Sequence, residues 1–337
     1  MHRLAGGPPV SGTAAQPPSR PPGGSAFAHR PVLVERVVEL FAPVPPGLVV
    51  DATVGAGGHA EALLASHPNL RLLGLDRDPD AIAASRQRLA SFGGRAVLRQ
   101  ARFDRIGGTL DELGDEHASG ALFDLGVSSP QLDRPERGFS YRAEGPLDMR
   151  MDPGQPVSAA DLVNGADERE LADLLRSLGD ERYALRIARA IVAARPLQTT
   201  TQLAEVVRQA IPAPARRRGG HPARRTFQAL RIAVNDELAL LPGAIDEAID
   251  RLAPRGRCVV LSYHSGEDRI VKDRFRHAAS GGWTGPAHLP PPPDVRPTVR
   301  LLRRGAWRPS AAEIAENPRA EAARLRAVEK LPLQEVA

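Results

Sequence analysis

The sequence predicts an α/β fold in which a doubly wound, largely parallel sheet is interrupted by an inserted helical domain. Strand and helix patterns alternate between residues 47 and 124, which is typical of βαβ units. From Ser158 to Asn235 nearly every pattern is helical, and strand patterns return near Gly256. Because strands resume after the helices, we expect an insertion rather than two domains in series.

The same patterns divide the 337 residues into three parts. Residues 1–28 are rich in Pro, Gly and Ser, and such a composition cannot bury enough apolar surface to offset ordering, so we expect a disordered tail. Residues 29–134 and 236–337 are expected to form the sheet domain. Residues 135–235 are expected to form the inserted, arginine-rich helical domain.

Each element of the sheet domain follows from a local pattern. "HRPVLVERVVELF" has helical spacing, and "GLVVDATVG" is typical of a buried strand that opens into a glycine turn. A helix ("HAEALLASH"), a strand ("LRLLGLD") and a helix that starts at Pro79 ("PDAIAASRQRLASF") come next. The remaining strands are "RAVLRQ", "GALFDLG", "GRCVVLSYH", "TVRLL" and "ARLRAVEK".

Four apolar patterns with helical spacing predict the helices that follow Ser158. They are "ADERELADLLRSLG", "ERYALRIARAIVAA", "TTQLAEVVRQAI" and "RTFQALRIAVNDELALL".

Composition restricts the class of protein. Hydrophobic residues make up 42% of the chain and charged residues 25%, as in soluble globular proteins. Cys258 is the one cysteine, which excludes a disulfide framework and a thiolate zinc site. No stretch approaches the roughly 20 apolar residues of a membrane helix. We therefore expect a cytoplasmic protein with neither a membrane span nor a metal site.

Positive charge is concentrated in the inserted domain. Between Glu181 and Asn235 eleven arginines stand against two acids, a local charge of +9, although the whole chain carries only +5. The rest of the chain therefore carries −4. Such a localised surplus favours docking of a polyanion such as RNA. An ordinary solvated basic face is the alternative.

The loop "DATVGAGGHA" has the features of a nucleotide-binding turn. Gly55, Gly57 and Gly58 let the backbone turn tightly at a helix N-terminus and approach a ligand. Asp76 follows Gly55 by 21 residues, at the end of the next strand, where a carboxylate can accept hydrogen bonds from ribose hydroxyls. These features predict adenosine binding and leave both NAD and S-adenosylmethionine open.

Two observations favour S-adenosylmethionine. Asp51 ends the first strand, four residues before Gly55, and there we expect it to meet the ammonium group of a methionine moiety. After the fourth strand, no set of His, Asp and Arg typical of hydride transfer follows; the chain reads "DLGVSSPQLD". An NAD-dependent oxidoreductase, a non-catalytic RNA-binding assembly factor and a DNA amino-methyltransferase remain the alternatives.

Eight segments in the order of one known family extend from His29 to about Lys330. They include "DATVGAGGHA", "LDRDPDAIA", "HPARRTFQALRIAVNDEL", "RGRCVVLSYHSGEDRIVK" and, the most specific, "DLGVSSPQLDRPERGFSYRAEGPLDMRMD". On these segments the chain resembles the MraW family of ribosomal RNA methyltransferases. The resemblance implies the class I S-adenosylmethionine-dependent methyltransferase fold. It also implies methylation of the exocyclic N4 amine of a cytidine in the decoding region of 16S rRNA, within the small ribosomal subunit.

The resemblance further implies which residues form the site. Cofactor contacts would fall on Gly57, Gly58 and His59 in the glycine loop, Asp76 at the ribose, Phe103 beside the adenine, and Asp124 and Gln131 closing the site. Asp124 is also the expected catalytic residue. A cytosine amine is a poor nucleophile, and an acceptor for its N–H groups would orient it toward the methyl group.

The expected RNA-binding residues are aromatic and basic. Phe139 and Tyr141 either stack on the target base or belong to the core of the inserted domain. Phosphate contacts are expected from Arg216, Arg217, Arg218, Arg224 and Arg225 in a loop, and from Arg182, Arg186 and Arg189 on one helix face. His264, at the end of the fifth strand, is expected to be a structural histidine rather than a base.

Overall fold

The computed structural model describes residues 31–216, 220–283, 285, 292 and 295–332. The predicted tail 1–28 lies outside the described residues, as do Arg217 and Arg218. None of the helices formed by these residues is long and apolar enough to cross a membrane.

Seven strands form one sheet in the order β3-β2-β1-β4-β5-β7-β6. They are Gly47–Asp51 (β1), Leu70–Asp76 (β2), Ala96–Gln100 (β3), Ala118–Asp124 (β4), Leu252–Ser262 (β5), Val299–Leu301 (β6) and Arg324–Lys330 (β7). Strands β1 to β5 pair in parallel, and β7 runs antiparallel to both of its neighbours. This topology confirms the predicted class I methyltransferase fold.

The described residues also form fourteen α-helices. They are Val34–Phe41 (α1), Gly58–Ser66 (α2), Pro79–Arg88 (α3), Ile106–Leu113 (α4), Ser129–Asp133 (α5), Ala159–Gly165 (α6), Glu168–Gly179 (α7), Ala184–Ala193 (α8), Thr200–Ala210 (α9), Ala213–Arg216 (α10), Arg224–Asn235 (α11), Glu237–Asp250 (α12), Ser265–Ala279 (α13) and Ala311–Glu316 (α14).

Helices cover both faces of the sheet, which explains why its central strands are apolar on both sides. Every residue of β4 except Asp124 is buried, as expected for a parallel strand between two helical layers. On one face Ile245 of α12 and Phe275 of α13 pack against the sheet. On the other face Phe41 of α1 and Leu63 of α2 do so.

The helices between residues 139 and 234 share a hydrophobic core of their own. Leu175 of α7, Ile187 of α8 and Leu230 of α11 are fully buried in it. This core is separate from the clusters around the sheet. The arginine-rich segment therefore has an internal packing that does not depend on the strands for its apolar surface.

The segment "RTFQALRIAVNDELALL" is helical as predicted, but it divides into two helices, because α11 ends at Asn235 and α12 begins at Glu237. Asp236 between them has a left-handed backbone with φ of +52°. The Asn235 side chain accepts from the N–H of Met151 at 2.9 Å and donates to the carbonyl of Met149 at 2.8 Å. These bonds fix the break and attach the 149–151 segment to it.

The strand order reverses between β1 and β4, the two central strands of the sheet. In open α/β sheets this reversal leaves a crevice outside the carboxyl ends of the strands, because the connections on either side lead away from it. Asp51, Asp76 and Asp124 end β1, β2 and β4 at this edge.

Candidate active site

A cavity of about 630 Å³ lies at this edge of the sheet, within the size range of small-molecule sites. The lining residues that end or follow β1, β2, β4 and β5 form what we call the sheet wall. They include Gly55, Gly58, Asp76, Asp124 and Tyr263. Four residues of α11 also line the cavity, and we call them the α11 wall: Arg224, Phe227, Gln228 and Arg231.

The glycine loop brings the start of α2 to the cavity. Gly55 and Gly57 have φ of +51° and +80°, which only glycine adopts without strain. No side chain caps α2, so the first-turn N–H groups lack that partner. A Cβ on Gly58 would lie 2.5 Å from the Pro31 ring. Gly57 does not line the cavity. It packs against α3, where a Cβ on Gly57 would lie 3.3 Å from Cβ of Ser85.

Asp76 lines the cavity at the end of β2. Its Oδ2 accepts from the N–H of Gly55 at 2.9 Å, and its Oδ1 accepts from the N–H of Asp78 at 2.9 Å. Burial raises the pKa of Asp76 to about 6, against the lowering effect of these two bonds. Each oxygen retains capacity for a further donor.

Phe103 and Gln131 also line the cavity, and each is held by the protein. The Phe103 ring meets Phe123 edge-on at 6.3 Å between centroids. Gln131 donates from Nε2 to Oδ2 of Asp78 at 2.8 Å and accepts at Oε1 from the N–H of Ser128 at 2.9 Å. Gln131 therefore connects α5 to the start of α3.

Asp124 is held from three directions at the end of β4. Its backbone N–H donates to Oγ1 of Thr53 at 2.6 Å. Its Oδ1 accepts from the hydroxyl of Tyr263 at 2.7 Å, and its Oδ2 lies 3.4 Å from Nδ1 of His59. Burial and the Asp124 carboxylate raise the pKa of Tyr263 well above its ordinary value, so this hydroxyl remains a donor.

Tyr263 is a site residue that the sequence analysis missed. It follows β5 and lines the cavity, yet it is 139 residues away from Asp124 in the chain. The available signal was its place near the end of the predicted strand "GRCVVLSYH", one residue before His264, at the same sheet edge.

The expectation for Asp51 is wrong. Its side chain is 1% exposed and does not line the cavity, so it is not placed to meet a ligand ammonium group. Its Oδ1 accepts from the N–H of Thr53 at 3.2 Å. Burial raises the pKa of Asp51 to about 7, against the opposing effect of the nearby His59. Asp51 therefore stabilises the start of the glycine loop through its bond to Thr53.

The α11 wall presents residues spaced three and four apart, which share one helix face. Arg231 forms a bidentate pair with Glu237 through Nε and Nη2, at 2.8 and 2.9 Å. Arg224 is exposed, and within the described part of the chain no carboxylate lies within 4.0 Å of its guanidinium. Among the described residues, this wall therefore has one arginine that pairs with a carboxylate and one that does not.

The structure corrects part of the arginine prediction. Arg224 and Arg225 begin α11 rather than lying in a loop, and Arg225 points elsewhere, donating to the carbonyl of Asp180 at 2.9 Å. Arg216 ends α10 and donates to the carbonyl of Ile211 at 2.8 Å. Arg182 precedes α8, so only Arg186 and Arg189 share that helix.

Three further predicted residues have clear surroundings. Phe139 is 6% exposed and packs in the core of the inserted domain, although its edge reaches the cavity. Tyr141 is partly exposed at the cavity and stacks on His221 at 4.4 Å. His264 caps α13 and accepts from the N–H of Glu267 at 3.5 Å, which supports the structural interpretation of this histidine.

Comparison with known proteins decides the family. The family model described as the MraW methylase family matches residues 26–331. The chain belongs to this family. It is 54% identical over 327 residues to the ribosomal RNA small subunit methyltransferase H of Thermobifida fusca, covering 95% of this chain and 99% of that protein.

The chain is also similar to a second relative and to a solved structure. The chain is 55% identical over 319 residues to the protein of the same name from Acidothermus cellulolyticus, covering 92% of this chain and 97% of the relative. A putative rRNA-methylase structure from Clostridium thermocellum is 14% identical with a TM-score of 0.42, covering 89% of this chain and 97% of that one.

Membership makes the protein a methylase that uses S-adenosylmethionine, and the sheet wall fits that group. The uncapped start of α2 offers N–H groups to a carboxylate, and Asp76 offers acceptors to hydroxyl groups. A Cβ at Gly58 would lie 2.5 Å from Cγ of Pro31 and 3.1 Å from Nη1 of Arg88, two residues that also line the cavity, so this position requires glycine. Among the described residues, no cluster of three or more His, Cys, Asp or Glu could hold a metal ion.

Proposed function

We propose that this protein transfers a methyl group from S-adenosylmethionine to the exocyclic N4 amine of a cytidine in the decoding region of 16S rRNA. The observation that carries the proposal is Asp124, a carboxylate at the cavity edge whose Oδ1 accepts from the Tyr263 hydroxyl and whose Oδ2 lies 3.4 Å from Nδ1 of His59. The names of the relatives, which describe small-subunit ribosomal RNA methyltransferases, support the substrate. A ribosomal substrate places the protein in the cytoplasm.

The glycine loop and its neighbours would hold the donor. The N–H groups of Gly58 and His59 at the start of α2 would bind the methionine carboxylate, and Gly57 would provide the turn. Asp76 would accept from the ribose hydroxyls. Phe103 would pack beside the adenine, and Gln131 would close the site from α5.

Asp124 is the proposed catalytic residue. When bound, S-adenosylmethionine supplies an electrophilic methyl group on a sulfonium. The cytosine amine is weakly nucleophilic because its lone pair is delocalised into the ring, and Asp124 would accept one N–H so that the lone pair points at the methyl carbon. As the N–C bond forms, the bond between the methyl group and sulfur breaks and its electron pair stays on sulfur, which leaves as a neutral thioether. The nitrogen then releases its surplus proton to solvent.

The α11 wall would hold the RNA. A stacked cytidine has to be extruded to reach the cavity, and its flanking phosphates need cations outside the pocket. Arg224 lies at the cavity with no carboxylate partner among the described residues. Arg186 of α8 is also exposed. These side chains would position the strand while the sheet wall performs the chemistry.

The test is transfer of labelled methyl from S-adenosylmethionine to small ribosomal subunits that lack the modification. We would compare the wild type with Asp124→Ala and with Asp173→Ala, an exposed aspartate on α7, and digest the RNA to identify the nucleoside. We expect label in N4-methylcytidine with the wild type and the control, and a loss of about 100-fold or more for Asp124→Ala.

The other outcomes contradict different parts of the proposal. Label in another nucleoside would contradict the target and leave the donor assignment intact. Unchanged activity of Asp124→Ala would remove Asp124 from the chemistry. No label at all, with donor binding retained by calorimetry, would favour a non-catalytic RNA-binding assembly factor.

A further inference from the structure

We propose that His59 is a positioning residue that holds the Asp124 carboxylate as a doubly protonated imidazolium. The inference rests on the proposed function only in taking Asp124 as the acceptor for the substrate amine. The family resemblance implies that His59 contacts the cofactor. In the structure both of its ring nitrogens face protein atoms, the carbonyl of Val32 and the carboxylate of Asp124.

The first ring nitrogen is fixed by a backbone carbonyl. Nε2 lies 3.0 Å from the carbonyl oxygen of Val32, in the segment just before α1. A carbonyl oxygen only accepts hydrogen bonds, so Nε2 carries a proton in this arrangement. The ring is 5% exposed, and this bond fixes its orientation as well as its tautomer.

The second ring nitrogen faces a carboxylate. Nδ1 lies 3.4 Å from Oδ2 of Asp124. With the proton of a neutral ring already on Nε2, Nδ1 would direct a lone pair at a negatively charged oxygen. A second proton on Nδ1 converts this repulsion into a charge-assisted contact.

The surroundings of the ring favour the charged form. Asp124 faces it from β4 and Asp51 from β1, and Val32 in the segment before α1 offers its carbonyl oxygen. Burial acts to lower the pKa of His59, but the hydrogen bond and charge of Asp124 and the charge of Asp51 raise it above the ordinary value. Arg88, a basic side chain of α3, lies 3.9 Å from Glu61 of α2.

The arrangement leaves Asp124 oriented at both oxygens. Tyr263 donates to Oδ1 and His59 to Oδ2, so the carboxylate cannot rotate freely and keeps its remaining lone pairs toward the cavity. As pH rises through the pKa of His59, Nδ1 loses its proton and Asp124 loses one of its two donors. We therefore expect the methyl-transfer rate to fall on the alkaline side.

Two isosteric variants separate positioning from a purely structural role. In His59→Asn the amide nitrogen takes the place of Nδ1 and can still donate to Asp124, independently of pH. In His59→Gln the amide nitrogen takes the place of Nε2 and can still donate to Val32, but nothing faces Asp124. We would measure single-turnover methyl transfer to small subunits between pH 6 and 9, donor affinity by calorimetry, and thermal midpoints.

We expect His59→Asn to retain most of the rate and to lose the alkaline decline. We expect His59→Gln to lose on the order of 10- to 100-fold in rate, the range for removing a group that orients a site residue, with donor affinity unchanged. The reverse ranking would show that His59 serves only to anchor Val32. Equal rates in the two variants, or an alkaline decline that persists in His59→Asn, would also overturn the proposal.

A spectroscopic measurement keeps the inference testable if the acceptor assignment fails. In the protein labelled with ¹⁵N-histidine, both ring nitrogens of His59 should give signals of protonated nitrogen at neutral pH, with the assignment taken from His59→Asn. Asp124→Asn should shift one of them toward the neutral ring. A neutral His59 ring in the wild type at pH 7 would overturn the proposal, whichever nucleoside is methylated.

Discussion

The two walls of the cavity differ in charge and in how their polar groups are held. The sheet wall holds its carboxylates at strand ends: Asp76 ends β2 and Asp124 ends β4. Main-chain N–H groups bond the oxygens of Asp76, and the Tyr263 hydroxyl bonds Oδ1 of Asp124. The α11 wall presents long side chains from one helix face, and Arg224 there has no carboxylate within 4.0 Å among the described residues. The first wall is acidic and tightly held, and the second is basic.

This difference matches the two ligands that the proposed reaction needs. A donor molecule has one shape and has to be held within a fraction of an ångström of the acceptor, which favours groups fixed by strand ends. An RNA backbone is recognised by charge, which favours arginines on a solvent-exposed face. The inserted helices, with a core of their own, supply that face without disturbing the sheet.

Among the variants that distinguish the two walls, we expect the largest effect from Asp76→Asn, which should change donor affinity but not RNA affinity. The substitution removes a charged acceptor, so we expect affinity for S-adenosylmethionine to fall by about 10- to 100-fold, with RNA affinity unchanged. Calorimetry would measure it, with Asp80→Asn, an exposed residue of α3, as the control. Equal donor affinity in wild type and variant would contradict a ribose contact at Asp76.

The same carboxylate predicts a pH dependence. Burial raises its pKa to about 6, so the charged acceptor is present above pH 6 and is lost as pH falls below it. We expect donor affinity of the wild type to decrease below pH 6 more steeply than that of Asp76→Asn. Parallel curves for the two proteins would assign the dependence to another group.

A smaller effect is expected from Tyr263→Phe, which removes the hydroxyl that donates to Asp124 at 2.7 Å. We expect kcat to fall by about 10-fold, as for the loss of a hydrogen bond to a charged group, with the KM for the donor unchanged. Tyr183→Phe, a tyrosine that precedes α8, is the matched control. A change confined to KM would place Tyr263 in donor binding instead.

The smallest expected effect compares two adjacent arginines at the start of α11. Arg224 lines the cavity without a carboxylate partner among the described residues, whereas Arg225 donates to the Asp180 carbonyl. We expect Arg224→Gln to weaken RNA binding by about 3- to 10-fold and to reduce the slope of log affinity against log salt by about 1. Arg225→Gln should change both quantities less. Equal effects would mean that RNA does not enter along the α11 wall.

Local patterns determined most of the sheet and part of the site. The period of apolar residues predicted all seven strands, and the glycine loop with Asp76 21 residues later predicted an adenosine site at the strand ends. Helix α4 was not predicted, because Gly107 and Gly108 lower helix propensity in its first turn. A packed amphipathic face stabilises this helix in the folded protein: Leu110 is fully buried against the sheet.

Tertiary structure alone decided the partners of each side chain. Asp51 and Asp124 both end strands, yet only Asp124 reaches the cavity, and its donor Tyr263 is 139 residues away. Arg224 and Arg225 are identical neighbours that point to different surroundings. Sequence periodicity predicts which face of an element is buried. A contact between two side chains depends on how distant elements pack, and no local pattern predicts that packing.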